Sequence, residues 1–323
     1  MKLDRLTDIT SELSTNLVSS IMLPGGLLDW LTRPLPERLR PRFLSGSANR
    51  EPQSEPQRVA GPAGPMVLMG GLPVPDEATV AMIHLAGGRS AKLAVIAAAT
   101  ENHSQVAEQG VKLFTRFGMR KVEVFDLTTR ERAESPEWSA RLSAFDAVFI
   151  CGDDESIGLK VLGGTLCAHT LKEMLAAGKP VAGLGAGAAI LASRAVVRQN
   201  GEETLAEGLG LAAGLLVDTQ FTQENRFGRL AKALQGAEPG LFLGAGLDAG
   251  SAVAMRDGEA KVLGEASATF LDLRDSQVIS DPNHSAVCGL KVHVLMDGYV
   301  MNLRTRRPYG PPKDAPAQVV GAR

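Results

Sequence analysis

Residues 180–191 read PVAGLGAGAAIL and have the form of a strand that turns sharply into a helix. A short apolar run ends at Gly183, small residues then fill nearly every position through Ala189, and apolar residues resume at Ile190. Ligands of open α/β sheets bind beyond the carboxyl ends of the strands, which is where such a turn lies. This stretch therefore predicts both the class of fold and the position of its binding site.

The segments on either side of this turn alternate between strand and helix patterns from Pro65 onward. Apolar runs at 92–99 and 147–150 predict buried strands, and apolar residues at helical spacing over 104–117 predict a helix. Such alternation is typical of a doubly wound, mainly parallel sheet with helices on both faces. After residue 250 the pattern turns largely to strands, so we expect an α/β fold with a β-rich C-terminal part.

The chain divides into four predicted segments. Residues 1–44 are expected to be an amphipathic helical extension, because apolar residues recur there at helical spacing. Residues 45–64 are rich in Ser, Gly, Pro, Gln, Glu and Arg and are predicted to be a disordered linker. The α/β domain is predicted over 65–303, and a loose, Pro-rich tail is predicted over 304–323.

The composition argues against several classes of partner. A formal net charge of −2 over 323 residues gives no general attraction to nucleic acid or to an anionic membrane. No run approaches the roughly 20 apolar residues of a membrane span, and the N-terminus lacks the pattern of a secretory signal. Cys151, Cys167 and Cys288 are too scattered for a disulfide framework or a metal site, so a reducing cytoplasm is predicted.

Four predicted strand ends carry the residues that could form a site. They are Gly70–Gly71, Cys151–Asp154, Gly183–Ala188 and Asp218–Phe221. Because the carboxyl ends of neighbouring parallel strands meet at one edge of a sheet, we expect the four to converge on one crevice. No spacing among the acids specifies a metal cage, and no cofactor is expected.

Several motifs, in their order along the chain, resemble those of cyanophycinases and related serine peptidases. The resemblance spans residues 70–303, and the stretch 218–230, DTQFTQENRFGRL, is its most specific part. Any one motif is weak alone, but the ordered set is specific. The motifs are Phe149–Asp154, Leu162–Leu166, Gly183–Ala188, Gly208–Leu211, Asp218–Leu230, Gly246–Asp248 and Leu290–Leu295.

This resemblance implies a flavodoxin-like or class I glutamine-amidotransferase-like fold and, by analogy with relatives, a homodimer. It implies a serine nucleophile in a nucleophile elbow and a histidine base in the motif that here reads Asp218–Phe221. It also assigns Gly152 and Ala186 to the oxyanion side of the crevice. The substrates that it implies are β-linked aspartyl-arginine polymers, known as cyanophycin, or aspartyl peptides.

The chain departs from the family pattern at both catalytic positions. Gly185 stands where the family has its serine, and a glycine has no side chain to attack a carbonyl. Gln220 stands where the family has its histidine, and an amide does not take up a proton near neutral pH. Together the two changes predict that triad hydrolysis no longer operates. The binding and oxyanion groups alone would then accelerate hydrolysis by roughly 10³–10⁴-fold over the reaction in water.

Three more positions of the same crevice differ from the family. Cys151 occupies a position where the family has a glycine, Asp154 one where it has a glutamine, and Glu224 one where it has an arginine. The acids here suit an arginine-bearing or other cationic ligand. The candidate ligand-binding residues are Asp153, Asp154, Glu224 and Arg226.

These observations lead to three hypotheses. The first is a non-catalytic relative that binds a peptide-like or small ligand, or that regulates an active relative by association. The second is an active hydrolase in which Cys151 replaces the serine, although the acids that follow Cys151 raise the pKa of a thiol. The third is an interaction protein that works through the helix predicted within residues 1–44.

Overall fold

The computed structural model describes residues 62–236, 243–280 and 285–310. The helices are α1 (Asp76–Leu85), α2 (His103–Thr115), α3 (Arg130–Ala133), α4 (Pro136–Ser143), α5 (Glu155–Leu162), α6 (Leu166–Ala176), α7 (Ala186–Ala189) and α8 (Phe227–Gln235). The strands are β1 (Met66–Met69), β2 (Lys92–Ala99), β3 (Lys121–Val124), β4 (Ala147–Gly152), β5 (Val181–Gly185), β6 (Ala192–Gln199), β7 (Glu202–Glu207), β8 (Ala212–Thr219), β9 (Leu243–Leu247), β10 (Ala252–Arg256), β11 (Glu259–Leu263), β12 (Ala268–Asp272), β13 (Gln277–Ser280), β14 (Ser285–Cys288), β15 (Lys291–Leu295), β16 (Val300–Asn302) and β17 (Arg307–Tyr309).

The predicted helical extension over 1–44 lies outside the described residues, as does the predicted linker up to residue 61. Of the predicted tail, residues 311–323 lie outside them as well. Within the described part of the chain, no helix is both long enough and apolar enough to cross a lipid bilayer.

A nine-stranded mixed sheet forms the body of the fold, in the order β17-β16-β11-β10-β1-β5-β4-β2-β3. On one side of β1, the neighbouring strands β5, β4, β2 and β3 pair in parallel. On its other side, the neighbouring strands β10, β11, β16 and β17 pair antiparallel. Every residue of β1 is buried, because α1 and α2 pack on one face of the sheet and α5 and α6 on the other. Strands covered on both faces are expected to be continuous apolar runs, as β1 and β2 are.

A second sheet has six strands in the order β15-β12-β9-β8-β6-β7, with β6, β8 and β9 parallel. The short helix α7 packs on strands of both sheets, and all four of its residues are buried. A Cβ on Gly187 would lie 2.3 Å from the carbonyl oxygen of Ile150, so no side chain fits there. This enclosure explains why the turn at 180–191 is so rich in Gly and Ala.

The α/β fold class predicted from the sequence is confirmed, and the predicted strand–turn–helix unit is present as β5 and α7. The sequence analysis did not predict β6 or β7; β7 has no buried residue and lacks an apolar face, so it carries no buried-strand signal. The first sheet also extends beyond residue 303, since β17 pairs with β16 inside the segment predicted to be a loose tail.

A buried ion cluster joins the second sheet to the last hairpin of the first. Asp272, at the end of β12, has 1% of its side chain exposed, and Arg306, in the turn before β17, has 3%. Arg306 donates a hydrogen bond to the Asp272 carboxylate at 2.7 Å, and Arg274 donates further ones at 3.1 and 2.8 Å. Burial alone raises the pKa of Asp272, but the hydrogen bonds from these arginines outweigh it and hold the pKa below its ordinary value.

We expect Asp272→Asn to lower the free energy of unfolding by about 3 kcal/mol at pH 7, because it leaves the buried guanidinium of Arg306 without its counter-ion. The folded pKa of Asp272 lies below its ordinary value of 3.8. The contribution is therefore complete above the unfolded pKa and is lost as pH falls through the folded pKa. Urea unfolding at pH 7 and at successively lower pH measures both effects.

Asp275→Asn is the matched control for this substitution. Asp275 pairs with Lys291 on the surface, where 66% of its side chain is exposed, and its removal should change the unfolding curve little. An Asp272→Asn protein as stable as the wild type at pH 7, or a difference that grows on acidification, would contradict the role assigned to the cluster.

Candidate ligand-binding crevice

Four strand ends meet in one crevice, as their positions in the sequence predict. Gly71, Gly152, Gly185 and Gln220 line a single cavity of about 420 Å³. The backbone N–H of Gln220, just beyond β8, donates to the carbonyl oxygen of Gly70, just beyond β1, at 3.0 Å. The crevice is therefore built by both sheets.

The elbow apex places Gly185 in a conformation that residues with side chains rarely adopt, with φ 59° and ψ −128°. A Cβ on Gly185 would also lie 2.8 Å from the carbonyl oxygen of Gly152. A serine here would carry backbone strain and a short contact, and glycine carries neither. The next residue, Ala186, is 4% exposed and begins α7, so its backbone N–H is the polar group that it can offer the site.

Gln220 lies at the opposite wall of the crevice and also has a left-handed backbone, with φ 50°. Its side chain packs beside Gly71: a Cβ built on Gly71 would lie 3.1 Å from Cγ of Gln220 and 3.3 Å from Cβ of Ala249. Ala249 is therefore the residue that lies with Gln220 beside Gly71. The sequence interpretation did not single out Ala249, because its position matters only through this contact.

Two buried acids at the same ends of β8 and β9 are already engaged. The Asp248 carboxylate accepts a hydrogen bond from the hydroxyl of Ser267 at 2.6 Å. Asp218, whose side chain is 0% exposed, accepts hydrogen bonds from Arg226 at 3.0 Å and from Arg229 at 3.2 Å. Both carboxylates are therefore already bound by neighbouring groups.

The arginines of this network have several partners. Arg229 lies 3.7 Å from Glu155 and 3.5 Å from Glu203, in addition to its contact with Asp218. Burial raises the pKa of Glu155, against the opposing effect of Arg229. Arg226, a predicted ligand-binding residue, does not line the cavity and has its guanidinium on Asp218. The network holds the loop after β8 against the start of α8.

The predicted acidic residues do not all reach the crevice. Asp153 lines the cavity and is exposed. Asp154 instead caps α5, because its carboxylate accepts a hydrogen bond from the N–H of Ile157 at 3.0 Å. Glu224 is exposed and does not line the cavity. Among the described residues, no group of three or more His, Cys, Asp or Glu is arranged to hold a metal ion.

Cys151 lines the inner end of the cavity but is only 2% exposed. Its Sγ lies 3.8 Å from the carbonyl oxygen of Ile96 and 3.9 Å from that of Val106, so it packs between β2 and α2. Burial raises the pKa of the Cys151 thiol to about 12. At neutral pH the sulfur is therefore a protonated, apolar group, which is a poor nucleophile.

One wall of the cavity is a face of α2, which the strand-end pattern did not indicate. Val106, Gly110 and Leu113 line it at helical spacing. Phe149 and Leu184, from β4 and β5, also line the cavity. Phe114, which follows Leu113 on the same helix, is wholly buried and belongs to the face of α2 that packs in the core.

The fold and the crevice define an α/β protein built around a hydrolase-type elbow. The chain belongs to peptidase family S51, whose sequence profile matches residues 66–263. Cyanophycinases from Nostoc sp. and Synechococcus elongatus are each 32% identical to it, over 235 and 236 residues. These matches cover 68% and 69% of this chain and 78% and 73% of those proteins. The family predicted from the ordered motifs is confirmed.

A solved structure of a peptidase from an acI-B1 Actinobacterium is similar to the chain, with a TM-score of 0.54 and 21% identity. The match covers 72% of this chain and 96% of that one. At this identity the likeness supports the fold, and it agrees with the flavodoxin-like architecture expected from the motifs.

We expect Gly185→Ser to destabilise the protein by about 1–3 kcal/mol, through backbone strain and the short contact with Gly152. Gly201→Ser is the matched control, because Gly201 has a φ of 83° but nothing within 4 Å of its missing Cβ. Chemical unfolding should therefore show a larger loss at 185 than at 201. An equal or smaller loss at 185 would show that the apex accommodates a side chain freely.

We expect thiol-specific alkylation of the folded protein at pH 8 to modify Cys288 and to spare Cys151 and Cys167. Cys288 is exposed, whereas burial raises the pKa of Cys167 to about 11 and that of Cys151 to about 12. Peptide mapping by mass spectrometry measures the extent at each site, and denatured protein gives the full reaction. Modification of Cys151 as fast as that of Cys288 would contradict its assignment as an inert core residue.

Proposed function

We propose that this protein is a non-catalytic member of peptidase family S51 that binds a peptide-like ligand in the crevice without cleaving it. The observation that carries the proposal is Gly185 at the apex of an otherwise complete elbow. The strand β5, the sharp turn and the helix α7 are all formed, yet the apex has no atom that could attack a carbonyl.

The base position supports the same proposal. Gln220 cannot accept a proton at neutral pH. The buried acids Asp218 and Asp248 are held by other partners, and the neighbour in the Gln220 corner is Ala249. Removing a triad nucleophile or base costs on the order of 10⁶-fold in kcat. What remains is a set of backbone groups that can bind and orient a peptide.

An active hydrolase that uses Cys151 is the alternative, and burial argues against it. A nucleophilic cysteine needs an accessible thiolate, whereas the pKa of Cys151 is raised to about 12 and the side chain is closed in by α2. A role for the segment 1–44 in partner binding stays a prediction, since that segment lies outside the described residues.

The family suggests the class of ligand. Relatives that are 32% identical are named cyanophycinases, so we propose a peptide-like or small-molecule ligand related to cyanophycin. We also propose a homodimer, and a cytoplasmic location, which suits the three free cysteines Cys151, Cys167 and Cys288. Regulation of an active relative by competition for ligand or by association fits the same site.

We expect calorimetric titration with the β-Asp-Arg dipeptide to give saturable binding, and mass spectrometry to recover the dipeptide intact after prolonged incubation. A Gly185→Ser/Gln220→His double variant should hydrolyse it only slowly, because Asp218 and Asp248 are already bound by Arg226 and Ser267 and a histidine at 220 would compete for them. Adding Ala249→Glu places a carboxylate beside position 220. It should raise the rate of the double variant by on the order of 10²-fold.

Ala140→Glu, on the exposed surface of α4, is the control for the added charge and should not raise the rate of the double variant. Hydrolysis of the dipeptide by the wild-type protein at the rate of an active cyanophycinase would overturn the proposal. Absence of binding of both β-Asp-Arg and β-Asp-Phe at millimolar concentration would overturn it equally.

A further inference from the structure

The cavity beside the elbow extends along one face of α2, well past the catalytic positions. Its lining runs from Gly185 along Val106 and Leu113 to Arg116. Positions 106 and 116 are about 15 Å apart along the helix axis. With a volume of about 420 Å³, the cavity has room for a large side chain of a ligand.

The walls of this cavity are mainly apolar. Val106 and Leu113 of α2 and Leu184 of β5 line it and are partly exposed, whereas Phe149 and Cys151 line it with only 0% and 2% of their surface exposed. Leu72 also lines the cavity and is 63% exposed. A ligand group that covers these surfaces gains binding free energy in proportion to the apolar area that it removes from water.

The charges around the cavity disfavour a cation inside it. Lys112 and Arg116 line it near the C-terminal end of α2, and each already pairs with an acid outside the cavity, Glu108 and Asp76 respectively. The one acid in the lining is Asp153, which follows Gly152 at the elbow end. A ligand guanidinium beside Lys112 and Arg116 would lie next to two cations, because the single acid of the lining, Asp153, follows β4 and is not on α2.

We infer that this cavity selects an apolar side chain of about phenylalanine size in preference to arginine. Asp153 remains available to a cationic group of the ligand close to the elbow. The inference rests on the proposed function, because it names the class of peptide that the crevice binds. It separates this protein from a binder of the arginine side chains of cyanophycin.

Titration of the full-length protein with β-Asp-Phe and β-Asp-Arg tests this preference, since the two dipeptides differ only in the second side chain. The wild type should bind β-Asp-Phe at least about tenfold more tightly. This comparison needs no variant, so it does not depend on the folding of an altered protein.

Two substitutions at one position locate the preference in the cavity. Leu113→Trp fills the cavity and should weaken β-Asp-Phe binding by about tenfold, while changing β-Asp-Arg binding by less than about twofold. Leu113→Glu supplies a counter-ion and should shift the preference towards β-Asp-Arg. Val124→Trp, at a 55% exposed residue of β3 that does not line the cavity, is the control and should change neither affinity.

The outcomes separate this inference from the proposed function. Equal binding of the two dipeptides, or tighter binding of β-Asp-Arg, overturns the inference and leaves the proposed function intact. Binding of neither dipeptide at millimolar concentration overturns both. Cleavage of either dipeptide at family rates overturns the proposed function, and the ratio of kcat/KM values for the two then decides the inference.

Discussion

The rest of the structure depends on the enclosure of the elbow between two sheets. The helix α7 contains only Ala and Gly, and the carbonyl oxygen of Ile150 approaches it so closely that Gly187 has no room for a Cβ. Because the elbow is held this tightly, the carboxyl ends of β1, β4, β5 and β8 have fixed positions around one crevice. The binding site is thus a consequence of the packing that also stabilises the core.

The same packing determines which residues fit at the apex of the elbow. A serine at position 185 would sit in a strained conformation and against the carbonyl oxygen of Gly152, and glycine avoids both costs. Natural proteins often trade stability for activity at such positions. The crevice is held in shape by backbone contacts and by the Asp218 network with Arg226 and Arg229.

Apolar runs and strand-end positions predicted most of the fold and the convergence of Gly152, Gly185 and Gln220. The remaining features depend on packing that periodicity does not record. The strand β7 is polar and exposed, so it carries no buried-strand signal. Tertiary contacts alone determine which face of α2 lines the cavity. They also determine that Asp154 caps α5 and that α2 covers Cys151.

The most direct test of a retained site without a nucleophile is a crystal structure of the protein soaked with a β-aspartyl dipeptide. The account predicts an intact dipeptide in the crevice, its backbone next to Gly152 and the Gly185–Ala186 turn, and no covalent bond to the protein. Electron density for cleaved products, for an adduct on Cys151, or for dipeptide bound only elsewhere with the crevice vacant would contradict it.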